Sequence, residues 1–288
     1  MPRAITPLSE LPLSNDFMFC EVMRQPEVCK LFLEALLETD IARIEYITKQ
    51  EDLADDFLSH GIRLDVYLND AKGTRYNIEM QKTNRGCLMR RIRYYQSGID
   101  RRFLEKNADY EQLPESYVIF VCDFDCYQAG LACYERVSHI KGRDDLNYDD
   151  GSHVLILNSR YQTPNTSQPM LEFLDYIRTN NDTQQPASTL AQKTIQAVHH
   201  IRYDKSKEVP YMTYTMKLRD ALEEGREEGR EQGREEGREQ GREEGIRALI
   251  MALRQLSIAP EVILQQLESA FGLSPQAAQE KLAQYGDC

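Results

Sequence analysis

The chain has 288 residues, 41% hydrophobic and 28% charged, the composition of a globular protein long enough to bury a sizeable core. No apolar run approaches the ~20 residues a bilayer-crossing helix needs, and the start, MPRAITPLSELPLSND, lacks the apolar stretch of a secretory leader. A cytoplasmic protein with no membrane partner is expected. The net charge of −12 excludes a protein that coats nucleic acid indiscriminately.

In chain order, SNDFMFCEVM reads as a short helix, and PEVCKLFLEALLE (26–38) as an amphipathic helix opened by proline, with Val28, Leu31, Phe32, Ala35 and Leu36 on one face. A weak strand follows around Arg43–Ile47. The clearest strand signal comes next. Ile62, Leu64, Val66 and Leu68 alternate with Arg63, Asp65, Tyr67 and Asn69. After the turn-forming Asn69-Asp70-Ala71-Lys72-Gly73, Tyr76, Ile78 and Met80 alternate with Asn77, Glu79 and Gln81. This is the pattern of a β-hairpin.

A helix from about Cys87 to Leu104 carries Leu88, Ile92, Tyr95, Ile99 and Phe103 at helical spacing. The apolar runs Tyr117–Cys122 and His153–Leu157 read as central strands, with a further strand near Ala132–Val137. From residue 167 onward the pattern is helical. The order implies an α/β core of helices on a mixed sheet with an all-helical tail.

Within that tail, residues 223–245 repeat EEGR or EQGR, with Gly225, Gly229, Gly233, Gly237, Gly241 and Gly245 four apart. Ten Glu against five Arg leave residues 223–244 at −5. The tract is read either as a helix that pairs with a second copy to form a homo-oligomer, or as an acidic spacer. Gly245–Leu256, Pro260–Phe271 and Pro275–Tyr285 read as three short helices. The expected domains are a core over 1–180, a helical connector over 181–222, the repeat helix over 223–245 and a small helical region over 246–288.

The seven cysteines are odd in number and include no C-x-x-C pair, so neither a disulfide framework nor a zinc ribbon is expected. Cys122, Cys126 and Cys133 read as small buried hydrophobes. Asp123, Asp125, Asp144, Asp145, Asp149 and Asp150 form acidic loops without a D-x-D-x-D-G pattern. His199 and His200 read as surface residues.

If the hairpin folds symmetrically about Lys72, opposed residues sum to 144, which sets Asp65 against Glu79 and Arg63 against Gln81. Cross-strand neighbours share a face at ~5 Å, so two carboxylates there repel, and a hard cation such as Mg2+ would remove the conflict. Spacing alone leaves another reading open, in which the carboxylates are solvated or neutralised by Arg63 and Arg75.

Charge also concentrates just after the hairpin. Residues 82–106 hold Lys82, Arg85, Arg90, Arg91, Arg93, Arg101, Arg102 and Lys106 against Asp100 and Glu105, a local balance of +6 beginning beside Gln81. Arg90, Arg91, Arg93 and Tyr94 are the candidate contacts to a polyanion, which would be DNA for the family resemblance given next. The alternative is an amphipathic core helix whose arginines are solvated and whose Tyr95 is buried.

GIRLDVYLNDAKGTRYNIEMQ, followed by RRIRYYQSGIDRRFLEKNADYEQLPESYVIFVCDFD, resembles the recombination-promoting nuclease and putative transposase family of the PD-(D/E)XK nuclease superfamily. LPLSNDFMFCEVM and the glycine-glutamate-rich tail are also similar to that family. The resemblance implies a restriction-endonuclease-like core and a Mg2+-dependent DNA endonuclease, with Mn2+ as an alternative metal and a link to recombination or mobile elements. It implies metal ligation by Asp65, Glu79 and the Met80 backbone carbonyl, with Asp16 of the first helix as a further acidic candidate. Gln81 stands where the superfamily usually has Lys, and is expected to hold the attacking water by hydrogen bonds without bringing charge. Hydrolysis would leave a 5′-phosphate and a 3′-hydroxyl. The alternatives are a catalytically weak DNA-binding protein and a helical assembly module that keep the fold.

Overall fold

The computed structural model describes residues 5–46, 66–84, 86, 88–104, 109–143, 145–146 and 148–286. The chain folds as two compact units, residues 1–213 and 214–288.

The first unit opens with two short helices. The Asn15 side chain caps α1 (Asp16–Met23) by accepting from the Phe17 and Met18 amides at 3.0 and 3.3 Å. Pro26 at the first position of α2 (Pro26–Leu37) costs no helical hydrogen bond there. Strands β1 (Ile44–Tyr46), β2 (Val66–Asp70), β3 (Arg75–Gln81), β4 (Ser116–Cys122), β5 (Cys133–Glu135) and β6 (Ser152–Asn158) build one sheet, in the order β1-β2-β3-β4-β6-β5. The β3–β4 and β4–β6 pairs are parallel and the outer pairs antiparallel. Strands β4 and β6, the apolar runs of the sequence, are both interior, as parallel strands covered on both faces should be.

The hairpin turn is tighter than the sequence suggests, because β2 continues through Asn69 and Asp70. Asp70 is why. Its Oδ1 accepts from the Lys72 and Thr74 amides at 2.9 and 3.0 Å, and its Oδ2 accepts from the Tyr76 hydroxyl at 3.0 Å. Gly73 completes the turn at φ +89°, a conformation that side chains with a Cβ rarely adopt.

Helix α3 (Leu88–Phe103) crosses between β3 and β4. Its Leu88, Ile92, Tyr95 and Ile99 stripe packs on Tyr67, Val118, Phe120, Cys122, Val154 and Ile156. Helices α4 (Gln168–Thr179) and α5 (Thr189–Tyr203) pack on one another and on α2. The buried Arg202 of α5 donates to the Leu11 carbonyl and pairs with Asp182, locking the N-terminal segment to α5.

A correction concerns the tail. The repeat and the first of the three expected short helices are one helix, α6 (Glu208–Gln255), running through all six glycines of the repeat. Helical carbonyls and amides stay satisfied at glycine, so each costs about 1 kcal/mol of propensity without breaking the helix. In the second unit, α7 (Pro260–Phe271) and α8 (Pro275–Gly286) join the end of α6 around Ile246, Ile250, Ile263, Leu267 and Ala278. Among the described residues, no helix is long and apolar enough to cross a membrane.

Candidate active site

Strand β3 holds the site candidates because its side chains alternate. Tyr76, Ile78 and Met80 point to one face, and Arg75, Asn77, Glu79 and Gln81 to the other. The β2–β3 register sums to 144 at all four described pairs, from Val66–Ile78 to Asn69–Arg75, as expected from the alternation. Asp65 and Arg63 lie outside the described residues.

The parallel register sets Asn77 beside Val118, Glu79 beside Phe120 and Gln81 beside Cys122. Those β4 residues form the floor under α3, so the polar side of β3 is the covered side. Glu79 is 2% exposed and Asn77 wholly buried. Burying a carboxylate is costly unless a partner offsets the lost hydration. A buried amide without a partner costs about 1–3 kcal/mol. Among the described residues, Asn77 Nδ2 and Oδ1 have no hydrogen-bond partner.

Arg91 enters the same space from α3. Its Nη1 donates to Gln81 Oε1 at 2.8 Å, and its Nη2 donates to the Tyr95 hydroxyl at 3.0 Å. Nη2 also lies 3.9 Å from Glu79 Oε2. The guanidinium carbon sits 5.5 and 5.6 Å from the Tyr95 and Phe120 ring centres, and those rings stack at 6.0 Å. The Arg91 side chain is 36% exposed, so solvent reaches part of it. A planar fork held on several sides loses little entropy on meeting an anion. Gln81 in turn donates from Nε2 to the Met80 carbonyl at 2.8 Å.

The structure therefore separates the basic residues that the sequence treats as one set. Arg90, Arg93 and Tyr94 face solvent, whereas Arg91 is turned to β3. The core-helix reading of α3 holds, with Tyr95 buried, and the same helix also brings a cation to Glu79 and Gln81. Arg91 stands three residues after Leu88 and four before Tyr95, on the edge of the apolar stripe. That spacing is the available signal for its inward position.

Asp16 is exposed in the first turn of α1, which lies against β3, and the capping role belongs to Asn15. Asp123 follows β4 beside the site, its amide donating to the Gln81 carbonyl at 2.9 Å. Its carboxylate accepts from Ser159 Oγ at 2.8 Å and Arg160 Nε at 2.9 Å, tying the ends of β4 and β6 together. Asp125 organises the next turn. Burial alone would raise its carboxyl, but hydrogen bonds from the Tyr134 hydroxyl and the Gly130, Tyr127 and Gln128 amides outweigh that and hold it below the usual range. Cys122 is buried as expected, but Cys126 and Cys133 are only half-buried. Burial pushes all three thiols up, Cys133 to about 11. His199 and His200 are exposed.

A hard divalent cation takes oxygen ligands. The Glu79 carboxylate and the neighbouring Met80 carbonyl are donors of that kind, and the strand also buries the unpaired amide of Asn77. The described donors fit such a cation in chemistry. Among the described residues, no three His, Cys, Asp or Glu side chains converge.

A family model described as PD-(D/E)XK nuclease family transposase matches residues 13–224. No curated protein and no solved structure matches the chain.

Proposed function

The chain belongs to the PD-(D/E)XK nuclease family transposases, and we propose that it is a Mg2+-dependent endonuclease that hydrolyses DNA phosphodiester bonds at the β3–α3 face. Membership makes the mixed sheet a restriction-endonuclease-like core. The observation that carries the reading is the buried carboxylate of Glu79, held under α3 beside Gln81 and Arg91.

The reading extends the 144 register one pair further, to Asp65 opposite Glu79. Asp65, Glu79 and the Met80 carbonyl would hold the cation, with Asp16 of α1 as a further candidate. When bound, Mg2+ (or Mn2+) offsets charge on the scissile phosphate and makes water a stronger nucleophile near neutral pH. Gln81 orients groups at the phosphate by hydrogen bonds from its amide. Arg90 and Arg93 contact the phosphates on either side, and the exposed Tyr94 ring offers a stacking surface. The products are a 5′-phosphate and a 3′-hydroxyl. The protein works in the cytoplasm, in recombination or mobile-element turnover, and the 223–245 repeat brings two copies together.

One observation favours a second reading, a DNA-binding protein with weak catalysis: Gln81 brings no charge of its own. Supercoiled plasmid distinguishes the two. Nicking with Mg2+ that stops with EDTA supports the endonuclease. Retention of the plasmid on a gel without nicking, at any Mg2+ or Mn2+ concentration, overturns it.

A further inference from the structure

The geometry points to a coupled pair, Arg91 and Gln81, in which Arg91 fixes the orientation of the Gln81 amide so that its Nε2 hydrogens, rather than its carbonyl, face the reacting phosphate. The inference rests on the endonuclease reading of this site and specifies how a glutamine serves there. An arginine side chain only donates hydrogen bonds. With Arg91 Nη1 at 2.8 Å, the atom of Gln81 turned to it must therefore be Oε1. Nε2 is then forced to the opposite side, where it donates to the Met80 carbonyl at 2.8 Å. The amide has two hydrogens, so one remains after the bond to the Met80 carbonyl. With its oxygen engaged by Arg91, Gln81 offers a bound group a donor rather than an acceptor or base.

The pairing also adds charge by proxy. A cation on the amide oxygen draws electron density from the nitrogen, so the Nε2 hydrogens become stronger donors to a phosphate oxygen that gains charge. Arg91 is braced for this task by the Tyr95 hydroxyl at 3.0 Å and by the Tyr95 and Phe120 rings. Together the two side chains do what one ammonium would do at position 81. Arg91 is accordingly a positioning residue, acting through Gln81.

The test uses full-length protein and a two-residue cycle, read in two ways. In plasmid nicking with Mg2+, Arg91→Met and Gln81→Glu should each lower kcat by about 10²-fold, the loss typical of one removed charge-stabilising donor, with smaller changes in KM. Gln81→Lys introduced into Arg91→Met should bring the rate back to within about tenfold of wild type, a recovery that a purely structural arginine would not permit. If Arg91→Met does not fold, Arg91→Lys takes its place. It keeps the charge without the fork and should lose about tenfold, and the pair is then judged by the EDTA binding cycle alone. In parallel, binding of a DNA duplex is measured in EDTA for wild type, Arg91→Met, Gln81→Glu and the double variant. The two single losses should be strongly non-additive. Additive losses in EDTA, or no rescue by Gln81→Lys, would overturn the pair. A wild type that never nicks overturns the nuclease reading instead, and the EDTA cycle still decides the pair.

Discussion

Strand β3 and the repeat stretch of α6 are both rich in polar side chains, and the fold treats them in opposite ways. Across α6 from Met216 to Arg242 every residue is exposed, and its glutamates and arginines are hydrated much as they would be in an unfolded chain. In β3, five of seven residues are buried, and Asn77 and Glu79 are among them. A hydrated charge costs folding almost nothing and so says little about chemistry. A carboxylate at 2% exposure has been retained against a desolvation cost, and that is informative. Burial, rather than charge content, separates the site from the repeat.

The sharpest way to break this contrast is to remove the carboxylates. Asp65→Ala and Glu79→Ala should each lower plasmid nicking by more than about 10³-fold, since catalysis by groups that act as a unit collapses with any one of them. Metal-free melts should move little. The charge left behind after loss of Glu79 is Arg91, whose partly exposed side chain is still hydrated. Nicking near the wild-type rate in either variant would remove Asp65 or Glu79 from the site.

A smaller effect is expected from the solvent side of α3. Replacing Arg90 and Arg93 should weaken DNA binding uniformly across sequences, and the log-log salt slope should become shallower by about one unit for each phosphate no longer neutralised. Equilibrium binding between low and moderate salt checks this. An unchanged slope makes the two arginines ordinary solvated charges, like those of α6.

The glycines of the repeat test the other side of the comparison. A Cβ built at Gly225, Gly229, Gly233, Gly237 or Gly241 meets nothing within 4 Å, so alanine should stabilise the helix by about 1 kcal/mol per site. At Gly245 the same Cβ comes within 3.2 Å of the Phe271 ring, and that gain should vanish. Melts of single variants measure this. If two copies pack along the glycine row, the five alanines should also turn a dimer into a monomer by light scattering, as should a chain ending at Leu222. A monomer with and without the tract makes it a spacer.

Much of the fold is legible in the sequence because alternation and apolar runs report burial directly. Val66 and Leu68 against Ile78 and Tyr76 set the hairpin register, and YVIFVC and HVLIL mark two interior strands. The turn begins two residues later than its composition implies, because Asn69 and Asp70 are common turn formers. Here Asp70 ends a strand and accepts the amides of the turn that follows. The continuity of α6 is hidden by glycine, which lowers propensity without removing a hydrogen bond. Of the site, the Glu79 and Gln81 face can be read from the period of two. Arg91 cannot be told from Arg90 and Arg93 by charge, because only its place on the Leu88–Tyr95 stripe turns it inward. The amide orientation of Gln81 is beyond sequence altogether, since it depends on which partner α3 places against it.

The central claim, that Glu79 is buried to hold a divalent cation, is tested most directly without DNA. Thermal unfolding of wild type and Glu79→Gln is followed in EDTA and in rising Mn2+ or Mg2+. A ligand that binds only the folded state adds about 2.7 kcal/mol at a hundredfold excess over its Kd. Wild type should therefore melt progressively higher as metal rises, while Glu79→Gln, isosteric and uncharged, should show no gain. An equal rise in both proteins would contradict the claim.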